Sequence, residues 1–207
     1  KQIASVAAQL GKTRILTESF ACSGYDVTPK ELKSIGDFQY FNGVNALCQH
    51  LYPYSVSARG KIDHPPIFGA QAGWQKGFKT LNDYFTRLGY IISETEEICD
   101  IAIIHPQRSV WLDYLRVADE SSVHIIEKKF DKLLTKLRKK GVTYQFIDEE
   151  IFEKYGRTDD DTIVVGNRSY SVVLVPEIKT LSDFTYRALK RYKGKLCVLR
   201  QQEYIDG

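Results

Sequence analysis

Residues 13–26, Thr-Arg-Ile-Leu-Thr-Glu-Ser-Phe-Ala-Cys-Ser-Gly-Tyr-Asp, put a carboxylate where a short apolar run gives way to a small, polar, aromatic loop. Ile15, Leu16 and Thr17 suit a buried strand, and an acid at the carboxyl end of such a strand is where parallel α/β proteins hold reacting groups. Glu18 is therefore the first candidate for chemistry. The loops that follow add Tyr25, Asp26, Gln49, His50, Tyr52, Tyr54, Asp63, His64 and Trp74. Such a mixture suits a sugar: planar polar groups bond its hydroxyls, aromatic rings lie on its C–H faces, and scission of a glycosidic bond takes an acid paired with a base or nucleophile. Each residue also has a plainer reading. Glu18 could be a salt-bridge partner, His50 a satisfied strand-end side chain, Trp74 a packing residue and Asp26 a charge favouring a helix amino end.

The elements that would position these groups are legible. Thr28-Pro29-Lys30-Glu31 predicts a helix start, with a hydroxyl cap, Pro at the first helical position and an acid three residues past the cap. The first part thus alternates helix (3–10), strand (14–18), helix (29–42) and strand (44–51). A Pro- and Gly-rich stretch, 52–73, follows; unstructured loops of that length are functional or disordered. Helical spacing resumes over 74–88, and the polar run 93–97 marks a boundary between domains 1–97 and 98–207. In the second part, a strand at 98–105 ends at Pro106 and an amphipathic helix runs to Lys140, with Gly141 at its C-cap. Strands at 142–147, 162–165, 170–175 and 196–199 and helices at 149–155 and 181–192 complete an α/β fold: an open parallel sheet, flavodoxin-like in order of elements.

Composition excludes several function classes. Basic and acidic residues, 29 and 26, nearly cancel, so there is no basic arm for nucleic acid. The cluster Lys128, Lys129, Lys132, Lys136, Lys139 and Lys140 is the wet side of a helix whose apolar side is Ile126, Phe130, Leu133, Leu134 and Leu137. Cys22, Cys48, Cys99 and Cys197 lack zinc-ligand spacing and read as free thiols, although spacing alone leaves a disulfide and the compartment open. No apolar run approaches the roughly 20 residues of a membrane helix. The chain opens without Met, in a helix, which predicts a missing upstream segment and leaves localisation open. Gly-x-Gly-x-x-Gly and Gly-x-x-x-x-Gly-Lys-Ser/Thr are absent, and the turn after Ile104 reads His105-Pro106-Gln107-Arg108-Ser109. No nucleophile elbow follows any strand. The second part is thus expected to serve structure or an interface, with a flavin or nucleotide carrier as a competing reading.

Thr17-Glu18-Ser19-Phe20-Ala21-Cys22-Ser23-Gly24-Tyr25-Asp26, Gly36-Asp37-Phe38-Gln39-Tyr40, Gly43-Val44-Asn45-Ala46-Leu47-Cys48-Gln49-His50-Leu51, Tyr54-Ser55 and Asp63-His64-Pro65-Pro66 together resemble the α-L-rhamnosidases of glycoside hydrolase family 106 and related glycosidases. The blocks match in order and spacing over about residues 1–90. The resemblance implies that 1–97 is the closing segment of a (β/α)8 barrel, with Glu18 on the seventh strand and Gln49-His50 ending the eighth. It implies that 98–207 is similar to the non-catalytic glutamine-amidotransferase-like domain that follows the barrel in such enzymes. The implied activity is hydrolysis of a terminal sugar, rhamnose foremost, with Glu18 catalytic and Tyr25, Asp26, Gln49, His50, Tyr54 and Trp74 binding substrate. The implied partner is a carbohydrate; no organic cofactor is implied, while calcium and a homo-oligomer stay open, although no EF-hand spacing is present. Two strands cannot close an eight-stranded barrel, so a fragment inactive by itself is expected. The alternative is a non-catalytic carbohydrate-binding or assembly module.

Overall fold

The computed structural model describes residues 1–116, 121–200 and 203–206. In chain order its elements begin with helix α1 (Gln2–Gln9), strand β1 (Leu16–Ser19), helix α2 (Pro29–Phe41), strand β2 (Ala46–Gln49), a 3-10 turn (Ala58–Lys61) and helix α3 (Gln75–Ser93). There follow β3 (Ile101–Ile104), α4 (Gln107–Arg116), α5 (Ser121–Lys139), β4 (Gln145–Ile147), α6 (Glu149–Tyr155), β5 (Gly156–Asp159), β6 (Thr162–Val165) and β7 (Arg168–Tyr170). The last are β8 (Val172–Val175), β9 (Thr180–Leu181), α7 (Asp183–Arg191), β10 (Lys195–Val198) and β11 (Tyr204–Ile205). Contacts divide the chain into two units, Lys12–Glu96 with Lys1, and Gln2–Gly11 with Glu97–Gly207. Helix α1 belongs to the second unit, so the two units interleave in sequence.

In the first unit β1 and β2 pair in parallel, Leu16 opposite Ala46 and Glu18 opposite Cys48, with α2 as the crossover. Helix α2 begins at the expected cap: Thr28 Oγ1 accepts from Glu31 N–H, and a Glu31 carboxylate oxygen accepts from Thr28 N–H and Oγ1 at 2.8 Å. These Thr28 bonds, the backbone one foremost, hold the Glu31 carboxyl below its ordinary range. One face of the sheet turns to the helices: Ser19 and Thr17 both donate to Gln39 Oε1 on α2, the former at 2.7 Å, and Leu47 packs on the core of Phe20, Leu32, Tyr40, Phe68, Leu81 and Phe85. Helices α2 and α3 touch at Gly36, where an added Cβ would lie 2.4 Å from the Phe85 ring. Strand residues alternate between faces, so Leu16, Glu18 and Cys48 point the other way. Leu16 is 60% exposed and Cys48 is exposed, so this second face is bare. No closed barrel is present among the described residues; this unit contributes one βαβ step.

The second unit holds a four-stranded parallel sheet in the order β10-β8-β3-β4. Both faces are covered, as the apolar strand Ile101–Ile104 requires. Ala102, Ile104, Val173 and Val175 pack with Phe152, Ile163 and Leu189 on one side, while Ile103 joins Tyr144, Phe146 and the α5 residues Phe130, Leu134 and Leu137 on the other. A three-stranded antiparallel sheet, β5-β6-β7, branches off before β8. Helix α1 covers the exposed edge of β4: Ser5 Oγ accepts from Phe146 N–H at 2.9 Å, and Gln9 Nε2 donates to Phe146 O at 2.8 Å. One turn of helix thereby satisfies both outward backbone groups of an edge residue.

The carboxyl ends of β3 and β8, where open α/β sheets most often bind ligands, are occupied by the chain itself. Ser109 Oγ, fully buried, accepts from Lys179 N–H and Thr180 N–H, and the Lys179 ammonium lies 2.7 and 2.8 Å from the two Asp113 carboxylate oxygens. This self-filling argues against the nucleotide-carrier reading of that turn. None of the four cysteines is joined in a disulfide. No described helix is long and apolar enough to cross a membrane.

Candidate functional site

Glu18 and His50 meet at the carboxyl ends of β1 and β2. The register places Glu18 opposite Cys48, and His50, two residues on, returns to the same bare face. His50 Nε2 lies 3.5 Å from Glu18 Oε1. The two side chains differ sharply in environment: Glu18 is 63% exposed, the imidazole only 14%. His50 Nδ1 is buried without a hydrogen-bond partner among the described residues. A solvent-facing carboxylate backed by a packed imidazole can accept or deliver a proton, or present an anionic oxygen to an electron-poor centre, while the imidazole fixes its orientation.

The backbone around the pair is bent out of ordinary geometry. Phe20, Cys22 and His64 all take left-handed φ values, +76°, +60° and +45°. Such conformations cost on the order of 1–3 kcal/mol each for residues other than Gly. At Phe20 the cost is offset by packing: its ring is buried between Phe68 and Phe85, at centroid separations of 5.8 and 6.2 Å. The loop after β1 is stitched to 64–65 by Gly24 N–H donating to Pro65 O at 3.2 Å. That seam brings His64 edge-on to His50, ring centroids 5.6 Å apart.

The other expected site residues are placed differently. Gln49 faces the helices, donating to Asn82 Oδ1 on α3 at 2.8 Å. Trp74 stands at the start of α3 within the aromatic cluster, 5.6 Å from Phe68 and 5.5 Å from Phe78. Tyr54 is fully exposed, and Tyr25 and Asp26 are exposed on the loop leading into α2. Glu18 and His50, by contrast, stand in direct contact. Asn82 and Gln39, which orient Gln49 and β1, escape sequence reasoning: each is one polar residue on an amphipathic helix and carries no spacing signal. Among the described residues, no three His, Cys, Asp or Glu side chains are arranged to hold a metal ion.

No family model matches the chain. Over 114 residues, 53% of its length, it is 27% identical to a Formosa agariphila protein named "Putative beta-glucuronidase", of which it covers 10%. Among solved structures, the rhamnosidase from Novosphingobium sp. PP1Y matches 98% of this chain with a TM-score of 0.67 at 18% identity, and the chain covers 19% of it. The chain therefore spans a tenth to a fifth of these relatives, shares the fold of a stretch of a rhamnosidase, and stands in a glycosidase-like relationship to both proteins.

Proposed function

We propose that this chain is part of a glycoside hydrolase of the family 106 type, cleaving a terminal sugar, α-L-rhamnose foremost, from an oligosaccharide or glycoside. In this reading β1 and β2 are the seventh and eighth strands of a (β/α)8 barrel whose lumen lies on their bare face. The second unit is the flavodoxin-like, glutamine-amidotransferase-like domain that follows, without catalytic chemistry of its own. The observation that carries the reading is the Glu18–His50 pair, at the carboxyl ends of parallel strands where such barrels hold their sites.

Glu18 supplies one carboxylate of the pair that glycoside hydrolysis uses. His50, held by its surroundings, orients it and biases which oxygen faces the sugar. The second carboxylate comes from another strand; a separation of about 5 Å from Glu18 gives retention and roughly 6.5–9.5 Å gives inversion. Tyr25, Asp26 and Tyr54, exposed on loops, are the groups that would close on substrate, whereas Gln49 and Trp74 act by shaping the wall behind.

The test is Glu18→Gln in the longest polypeptide that contains this segment, assayed on aryl α-L-rhamnosides and aryl β-glucuronides. A catalytic carboxylate predicts a fall in kcat of about 10³-fold with substrate still bound. Unchanged turnover in the variant refutes the assignment and leaves the non-catalytic carbohydrate module in its place. Turnover of the glucuronide alone keeps the hydrolase but overturns the sugar.

A further inference from the structure

Cys22 carries a second constellation that the glycosidase reading does not use. Its sulfur lies 3.0 Å from His64 Nδ1, and His64 Nε2 lies 3.8 Å from Asp63 Oδ1. A nucleophile, a base in hydrogen-bond reach of it, and a carboxylate on the base's far nitrogen form the arrangement that activates thiols. The pair is positioned from both ends: Cys22 N–H donates to His64 O at 3.5 Å, and both residues take left-handed φ values. Cys22 is exposed, so the sulfur can be reached from solvent. Cys48, also exposed, has no such imidazole beside it among the described residues and provides an internal control.

We propose that Cys22 is a thiol-exchange site, activated by His64, that takes low-molecular-weight disulfides. The thiol proton passes to His64 Nδ1 as the sulfur attacks one sulfur of the small disulfide. A Cys22–S bond forms, the S–S bond of the reagent breaks, and its other half leaves as a thiolate that recovers the proton from His64. Cys22 is oxidised to a mixed disulfide and the leaving half is reduced to a thiol, so the exchange needs no further oxidant. Asp63 is a positioning residue, favouring the imidazole tautomer that leaves Nδ1 free to accept.

The reduced 207-residue chain is treated with glutathione disulfide near neutral pH, and the mixed disulfide at each cysteine is followed by peptide mass spectrometry. Cys22 is expected to react roughly tenfold or more faster than Cys48. His64→Gln is expected to bring Cys22 down to the rate of Cys48 while Cys48 keeps its own, with far-ultraviolet circular dichroism reporting on folding. Equal rates at Cys22 and Cys48 in the unaltered chain overturn the proposal, as does a folded His64→Gln variant in which Cys22 reacts as before. If the variant does not fold, the ratio in the unaltered chain decides.

Discussion

At His105, burial and a single hydrogen bond pull in the same direction. The ring packs edge-on against Phe130 and Phe146, at 5.8 and 5.5 Å, and its Nε2 lies 2.7 Å from Gln2 Nε2 on α1, so the amide donates and the imidazole accepts. Desolvation lowers the His105 pKa from its ordinary 6.5, with the Asp148 charge opposing it more weakly. A group depressed in the folded state contributes stability above its unfolded value and loses it as pH falls, because the unfolded chain then binds more protons. Acidification below about 6.5 is therefore expected to weaken the second unit, since protonated Nε2 can no longer accept from Gln2. Urea titrations across that range should show a shallower pH dependence for His105→Gln, which keeps an acceptor toward Gln2 but does not titrate. An unchanged slope would assign the acid sensitivity elsewhere. At Tyr170 the sense is reversed: burial pushes the phenol up to about 12, which protects the bond from its hydroxyl to Gln145 Oε1.

Among the elements, those governed by local rules were legible in the sequence and those governed by distant partners were not. The Thr28-Pro29 start of α2, the 149–155 helix and the strand ending at Ile104 follow from capping chemistry and apolar runs that act within a few residues. The expected strand over 170–175 divides instead into β7, closing the antiparallel hairpin, and β8, entering the parallel sheet; one run of apolar residues cannot reveal that it serves two sheets. Strand β5 was missed because Gly156-Arg157-Thr158-Asp159 carries no apolar pattern and is fixed by its pairing with β6. Of the site, Glu18 and His50 were readable as strand-end residues, whereas Cys22–His64 depends on a seam between segments about forty residues apart. Helix α1 was legible as a helix, but its function as an edge cover rests on contacts more than a hundred residues away. There Gln9 O accepts from Asn167 N–H at 2.8 Å, and Gly166, at φ +53°, lies so close that an added Cβ would be 2.1 Å from Gln9 O. Gly166→Ala is expected to cost about 1–3 kcal/mol in denaturant unfolding, from strain and from displacement of α1. Alanine at Gly141, also left-handed but with open space around it, should cost only the backbone part.

For the whole molecule, the contrast between the two units decides how the chain spends its stability. The second unit buries its sheet on both faces, with Ile103, Ile104, Ile147, Ile163, Val165, Tyr170, Val173 and Val175 all inaccessible to solvent. The first unit buries one face of a two-stranded sheet and leaves Leu16, Glu18 and Cys48 uncovered, with Phe38, Phe41, Tyr90 and Ile91 exposed on its helices. Two-stranded sheets are marginal without further strands or packing, and bare apolar surface gains nothing from the hydrophobic effect. Opening free energy should therefore be distributed unevenly, the first unit lying at the low end. Hydrogen exchange followed by mass spectrometry on the 207-residue chain is expected to show the amides of β1 and β2 exchanging at least roughly tenfold faster than those of β3 and β8, a difference of about 1.4 kcal/mol in opening free energy. Both pairs of strands are parallel and hydrogen-bonded, so secondary structure alone predicts equal protection; coverage of the sheet predicts the gap. If β1 and β2 prove as slow as β3 and β8, one-sided burial suffices to hold the Glu18 strand, and the carboxylate would be positioned without any further strand closing over it. If the gap appears and closes in the longest polypeptide containing this segment, the bare face is a surface that further segments cover, as the proposed barrel requires of the face that carries Glu18.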